Sequence, residues 1–167
     1  MKTAIVTDTN SGITVEEGRQ SGIFVLPMPV IIEEHCYLEG VDITNEDLYQ
    51  AMTADKNLSS SQPSPGDVMD LWNRVLESGY DEIVHIPMSS GLSGSCQTAK
   101  QLALDYDSKV QVVDNHRISV TLMESVYDAK FLADQGKSAV EIRKYLEETA
   151  YQASIFLTVN SLKYLKK

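Results

Sequence analysis

Basic residues are scarce and scattered. The 167 residues carry 14 Lys and Arg against 24 Asp and Glu, a formal net charge of −10. The only basic cluster is Lys163, Lys166 and Lys167, at the end of the chain. Nucleic-acid binding needs a basic face to neutralise phosphates, so this balance argues against a nucleic-acid partner. It argues mildly against an anionic membrane surface as well. Long apolar runs are also missing. None approaches the roughly 18–20 residues of a membrane span, so no membrane span is expected. Met1 to Val6, followed almost at once by Asp8, reads as a first strand rather than a signal peptide. The two cysteines, Cys36 and Cys96, share no metal or redox spacing, and they read as the free thiols of a cytoplasmic protein. His35, His85 and His116 lie far apart and lack ligand spacing, so no metal is expected. No Lys follows a G-x-x-x-x-G spacing and there is no G-x-G-x-x-G, so neither a nucleotide site nor a cofactor is implied.

What is present is an ordinary soluble composition, 43% hydrophobic and 23% charged. The length suits one domain with a real core. Short β-branched runs alternate with helical spacings. Thr3–Thr7 reads as a buried parallel strand, followed by a polar turn. Thr14 and Glu17 make a capping box for a short helix that ends at Gly22. Ile23–Ile32 is apolar, but Pro27 and Pro29 make it a short, edge or irregular strand. Residues 33–42 read as a hairpin-like excursion. Thr44 caps a helix, with Asp47 at its third position. Residues 55–62 read as a loop. Ser64, Pro65 and Asp67 open the next helix, whose stripe is Val68, Leu71, Trp72, Val75 and Leu76. Further strands are expected at 82–87, 109–113 and 155–159. Long helices are expected from Ile118 to Ala133 and from Ser138 to Thr149. This alternation predicts an α/β fold, a mostly parallel sheet flanked by helices on both faces. Three polar strand ends, Asp8-Thr9, Ser89-Ser90 and Asp114-Asn115, then fall on one edge.

The chain is organised around residues 82–104. A strand runs into Met88-Ser89-Ser90-Gly91-Leu92-Ser93-Gly94-Ser95, and a helix follows with Leu92, Ala99, Leu102 and Ala103 at apolar spacing. Open α/β sheets build ligand sites from such strand-loop-helix junctions, and free N–H groups at the helix start favour an anion. A second cluster, Ser59-Ser60-Ser61-Gln62, precedes another helix and can reach the same edge. Ser64 and Ser93 read first as caps, whereas Ser60, Ser61, Ser89 and Ser90 exceed capping needs. Hydroxyls without a base or metal bind but do not catalyse, so the chain reads as a binder and not an enzyme. The alternative is a serine hydrolase. Gly91-Leu92-Ser93-Gly94-Ser95 approximates the G-x-S-x-G elbow as G-x-S-x-S. That motif wants an acid and then a histidine after the serine, and only His116 follows. Asp8 at the end of the first strand superficially suggests an aspartyl-phosphate site. Asn10 cannot serve as that chemistry's second acid, and the plainer reading is a carboxylate that caps a turn or bonds a neighbouring loop.

Five ordered segments resemble the DegV family of bacterial lipid-binding proteins. They are Val6-Thr7-Asp8-Thr9, residues 60–67, residues 89–99, Val112-Val113-Asp114-Asn115 and residues 158–165. The resemblance covers essentially the whole chain. It implies a long-chain fatty acid as ligand, bound between two domains. It also implies, for some members, a fatty acid kinase catalytic subunit as partner. Carried over, the carboxylate contacts fall on Ser60 and Ser90, with Ser61, Ser89 and Ser93 as neighbours. The backbone around Gly91 and Gly94 would assist. Ser60 stands where the family usually has Thr, and Cys96 where an aromatic residue is common. In the family pattern a second domain follows the final segment. Residues 1–159 therefore read as a lipid-headgroup-binding α/β domain, and 160–167 as the start of a second domain or linker. Self-association through the face such a domain would cover is a further expectation.

Overall fold

A computed structural model describes residues 1–156 and 158. The first strand, β1 (Thr3–Asp8), is buried along its whole length. A short turn and α1 (Val15–Ser21) lead to β2 (Ile23–Leu26), which pairs with β1 in parallel. The chain then leaves this sheet. Strands β3 (Pro29–Ile32) and β4 (His35–Leu38) pair antiparallel, α2 (Asn45–Thr53) follows, and β5 (Leu58–Ser60) pairs with the other side of β3. After α3 (Pro65–Glu77) the chain returns as β6 (Glu82–Ile86), parallel to β1. Then come α4 (Ser95–Leu102), β7 (Val110–Val112), α5 (Ser119–Asp134) and α6 (Ala139–Glu148). The main sheet is four parallel strands in the order β2-β1-β6-β7, and the small sheet is β4-β3-β5.

Strand alternation builds two cores on the main sheet. Ile5, Val84 and Ile86 face α5 and α6, meeting Leu122, Val126, Ile142 and Leu146. Ala4, Val6 and Ile83 face α3 and α4, meeting Val68, Trp72, Val75 and Ala99. The parallel sheet is thus flanked by helices on both faces, as the strand-helix alternation predicts. A third core, of Val30, Ile32, Leu58 and Ala51, holds α2 on the small sheet. The helix starts follow local chemistry. Thr14–Glu17, Thr44–Asp47, Ser64–Asp67 and Ser138–Glu141 each form a reciprocal capping box, in which the cap hydroxyl and the acidic side chain each accept from the other residue's backbone N–H.

Several expectations change. The apolar stretch from Ile23 to Ile32 is two strands in two sheets, because Pro27 interrupts the run between them. Pro29 is tolerated because it is the first residue of β3, where a missing N–H matters least. Leu58–Ser60 is a strand and not a loop. Its partner is β3, a non-local pairing that three residues cannot signal alone. Leu92 lies before α4 and is exposed. The buried residues of α4 are Cys96 and Ala99. Tyr145 lies on the outer side of α6, where Ala139, Ile142 and Leu146 are buried instead. The strand expected at 155–159 has no counterpart at Ile155 or Phe156, and its remainder lies largely outside the described residues.

Candidate functional site

Between β1 and β6 the order of the main sheet reverses. The chain passes from β1 outward to β2, then returns to the opposite side of β1 as β6. Loops at the carboxyl ends of two such strands diverge and leave a crevice between them. Here the crevice is clipped by Asp8. This carboxylate, 2% exposed, accepts from Asn10 N at 3.0 Å and from Met88 N at 3.0 Å. Burial pushes its pKa up, against the pull of those hydrogen bonds. Asp8 is therefore a turn cap that also ties β1 to the serine loop.

Beyond Met88 the loop is held from several sides. Ser89 N donates to the Arg117 carbonyl at 2.9 Å, and the buried Ser89 Oγ accepts from Gly91 N at 3.2 Å. Ser90 is exposed, and its N–H donates to Asp114 Oδ1 at 3.2 Å. Partial burial of Asp114 opposes its ionisation. Hydrogen bonds from the Ser90 hydroxyl and N–H, together with His116, outweigh that and hold its carboxyl below the usual range. Ser93 is half-buried, and its Oγ accepts from Ser95 N at 3.2 Å. It braces the turn just ahead of α4 and does not cap the helix. The residue at the cap position is Gly94, which has no side chain to donate or accept.

The second serine cluster meets this loop. Ser60 closes β5, and Ser61 N donates to the Pro29 carbonyl at 3.1 Å. Gln62 then reaches across to α4, where its Oε1 accepts from Thr98 Oγ1 at 3.2 Å. A Cβ on Gly94 would sit 3.3 Å from that same oxygen, so the two loops are in close contact. A cavity of about 330 Å³ opens between them. Ser60, Ser61, Gln62, Ser93, Asn10 and Glu39 supply its polar lining. Met28, Val30, Met88 and Leu92 supply its apolar lining. Of the serines singled out in the sequence, Ser60, Ser61 and Ser93 share this cavity. Ser89 and Ser90 stand behind and beside it, engaged with Gly91 and Asp114. Gly91 and Gly94 belong to the loop that forms its rim.

Asn10 and Glu39 are functional candidates that the sequence did not suggest. Asn10 follows β1, and its buried Nδ2 makes no hydrogen bond of good geometry. Its side chain lies close enough to Asp8 to favour that carboxylate's charge. Glu39 follows β4 and accepts a hydrogen bond from Thr9 Oγ1, which in turn accepts from Met28 N at 3.2 Å. An orphaned buried amide is visible only in three dimensions. The sole hint in the sequence was the polar run Asp8-Thr9-Asn10 directly after a strand.

No general base addresses Ser93 among the described residues. His85 is fully buried against Trp72, and burial alone lowers its pKa to about 3. His116 is occupied by Asp114, at 3.5 Å, and stacks on Tyr151. Burial, with help from Asp114 and Asp8, pushes the Cys96 thiol up to about 11, so it is not a ready nucleophile. The described residues contain no cluster of metal-ligating side chains and no helix long and apolar enough to cross a membrane.

Fold and site together define a class: an open parallel α/β domain with a hydroxyl-lined cavity at its switch point. The chain belongs to the DegV family, whose family model, described as "Uncharacterised protein, DegV family", matches residues 2–167. A DegV domain-containing protein of Staphylococcus aureus is 32% identical over 166 residues, 99% of this chain and 59% of that protein. The chain thus spans about three fifths of that relative's length. A solved DegV family protein from Thermus thermophilus, described for its fatty acid binding, superposes with a TM-score of 0.80 at 28% identity, covering 90% of this chain and 54% of that one. DegV from Bacillus subtilis, described as a fatty acid binding protein, gives 0.80 at 27% identity, with coverage of 90% and 54%.

Proposed function

We propose that the chain binds the carboxyl end of a long-chain fatty acid in the cavity between the two serine loops. The observation that carries this reading is their convergence, through Gln62, on one polar cavity at the switch point of the sheet. The hydroxyls of Ser60, Ser61 and Ser93 supply donors, while Ser89, Ser90, Gly91 and Gly94 shape the loop. Each hydrogen bond to a charged acceptor is worth about 1.5–3 kcal/mol, enough to orient a head group without a metal. Fatty acid binding by the Thermus and Bacillus proteins supports the same ligand class. Met28, Val30, Met88 and Leu92 give the first methylenes an apolar start.

The same reading makes residues 1–159 the headgroup-binding unit and 160–167 the start of a following segment or domain, in a cytoplasmic protein. It makes the chain a carrier that can present its ligand to a fatty acid kinase subunit. Association between copies through an uncovered apolar face belongs to it as well. Native mass spectrometry of the purified protein tests the binding directly. An acyl chain should co-purify, or added palmitate or oleate should raise the melting temperature, and Ser60→Ala combined with Ser90→Ala should remove that shift. The absence of both co-purification and a shift would refute it. The hydrolase reading is not favoured, and a serine-directed activity probe separates the two. Labelling lost in Ser93→Ala would revive the hydrolase.

A further inference from the structure

The serine loop is assembled around Ser89, which stands behind the cavity. The Ser89 carbonyl accepts from Leu92 N at 3.0 Å and from Ser93 N at 3.2 Å, and its Oγ accepts from Gly91 N at 3.2 Å. Leu92 and Ser93 line the cavity. The position of Ser89 therefore sets the position of that wall. Asp8 fixes the loop at Met88, and Ser89 is held separately, by its N–H on the Arg117 carbonyl at 2.9 Å.

Arg117 has an anchor of its own. Its side chain is buried, and all three guanidinium nitrogens donate. Nε reaches the Ala150 carbonyl at 3.2 Å, Nη1 reaches Ser125 Oγ at 2.8 Å, and Nη2 reaches the Thr149 carbonyl. Thr149 caps the carboxyl end of α6, where carbonyls lack partners within the helix and a cation is favoured. The planar fork of an arginine serves three acceptors in fixed directions, which a lysine cannot do. The backbone is held as well. Arg117 N donates to Asn115 Oδ1 at 3.3 Å. His116 and Ser119, on either side, have φ of 57° and 54°. Residues other than glycine keep that left-handed conformation only where their surroundings enforce it. The direction of the Arg117 carbonyl is thus set by a side chain that grips α5 and the end of α6.

We propose that Arg117 is the positioning residue of the serine loop. Its clamp on Ser125, Thr149 and Ala150 holds its carbonyl where the Ser89 N–H meets it, and Ser89 in turn holds Leu92 and Ser93 on the cavity wall. The inference rests on the fatty acid reading above for what the cavity holds, and adds the residue that keeps the site in its binding shape. It also joins the site to the chain leaving α6. Linkage is reciprocal, so a ligand that orders the serine loop tightens the clamp on residues 149 and 150.

The test is amide hydrogen exchange of the full 167-residue chain, paired with equilibrium titration with oleate. Arg117→Met keeps much of the side chain's bulk and removes its donors, whereas Arg117→Lys keeps the charge. Ile23→Val, in β2 at the far edge of the main sheet, is the control that lowers stability without touching the clamp. In the ligand-free protein, Arg117→Met should speed exchange at the Ser89 amide by about 10-fold or more relative to the Ile83 amide, which donates to the Lys109 carbonyl. Oleate affinity should fall by about 10-fold, since a site in its binding shape about a tenth of the time binds about ten times more weakly. Arg117→Lys should lie between the parent and Arg117→Met on both readings, and it carries the test if the methionine variant does not fold. Ile23→Val should lower the urea midpoint while leaving the exchange ratio and the affinity as in the parent. An unchanged Ser89-to-Ile83 ratio in the Arg117 variants, or a change that Ile23→Val reproduces, would overturn the inference and leave fatty acid binding standing. Faster exchange with unchanged oleate affinity would overturn it too. No oleate binding by the parent would overturn the fatty acid reading alone, because the exchange ratio still shows whether Arg117 holds the loop.

Discussion

Ser90 and Ser93 are three residues apart and do different work. The Ser90 N–H donates to Asp114, and with the hydroxyl of the same residue it helps keep that carboxyl ionised. The Ser93 side chain lines the cavity opposite Ser60 and Ser61. In the proposed complex, Ser93→Ala and Ser60→Ala each remove a donor facing the ligand. Each should weaken fatty acid binding by about 5- to 100-fold, the range of one hydrogen bond to a polar or charged acceptor. Ser90→Ala alone should act indirectly, by loosening the Asp114 contact, and its effect should be the smallest of the three. Titrating all three single variants with one ligand checks this order. Gly94 gives a separate handle. An added Cβ there presses on Gln62 Oε1 at 3.3 Å. Gly94→Ala should therefore push the two serine loops apart, reducing affinity by about 10-fold while changing stability by less than about 1 kcal/mol. Comparing the binding titration with the urea midpoint separates the two effects.

At the scale of elements, the legible features are those written in a few adjacent residues. The capping boxes need only a hydroxyl and an acid three positions apart, so Thr44–Asp47 and Ser64–Asp67 could be read directly and are present in full. The cores above and below the main sheet follow from alternation in β1 and β6. The small sheet was not legible, because β5 has one buried residue, Leu58, and takes its register from β3 across a helix and two connections. For the same reason the wall carrying Glu39 escaped notice. Its proximity to Thr9 depends on β4 returning alongside β3, thirty residues from the strand end it meets. Asn10 was read only as an acid that is missing, since its unpaired amide is a fact of burial and not of order. Close packing between elements is equally silent in the sequence. Gly18 of α1 lies so near β2 that an added Cβ would stand 2.5 Å from Val25 Cγ2 and 2.7 Å from the Ile23 carbonyl. That carbonyl belongs to a paired strand and cannot move away. Gly18→Ala, which helix propensity alone would favour, should instead destabilise the fold by about 1–3 kcal/mol in chemical denaturation.

The molecule as a whole carries a pH dependence in the middle of its main sheet. His85 sits at the centre of the main sheet, fully buried, with its ring edge-to-face with Trp72 at 5.5 Å and neither ring nitrogen hydrogen-bonded. Nothing nearby stabilises an imidazolium, and burial lowers the pKa from 6.5 to about 3. The unfolded chain carries a histidine of ordinary pKa, so between those two values it binds a proton that the folded chain refuses. Stability contributed by neutral His85 is complete above about pH 6.5 and drains away as the pH falls toward about 3. At about pH 5 the loss relative to neutral pH should be about 2 kcal/mol from this one side chain. Asp8 works in the opposite direction. Its raised pKa means the folded state takes up a proton before the unfolded state does, which offsets part of the loss just above the ordinary carboxylate range. The carboxylates with lowered pKa, Glu16 and Glu141 at about 2 among them, bring their losses only in stronger acid. The drop between about pH 6.5 and 5 therefore belongs mainly to His85. His85→Phe keeps an aromatic ring against Trp72 and removes the titration. Urea unfolding of the two proteins at about pH 7 and pH 5 should show a fall of about 2 kcal/mol in the parent and a much flatter response in the variant. Equal falls in both would mean that the buried imidazole is not what makes this domain sensitive to acid.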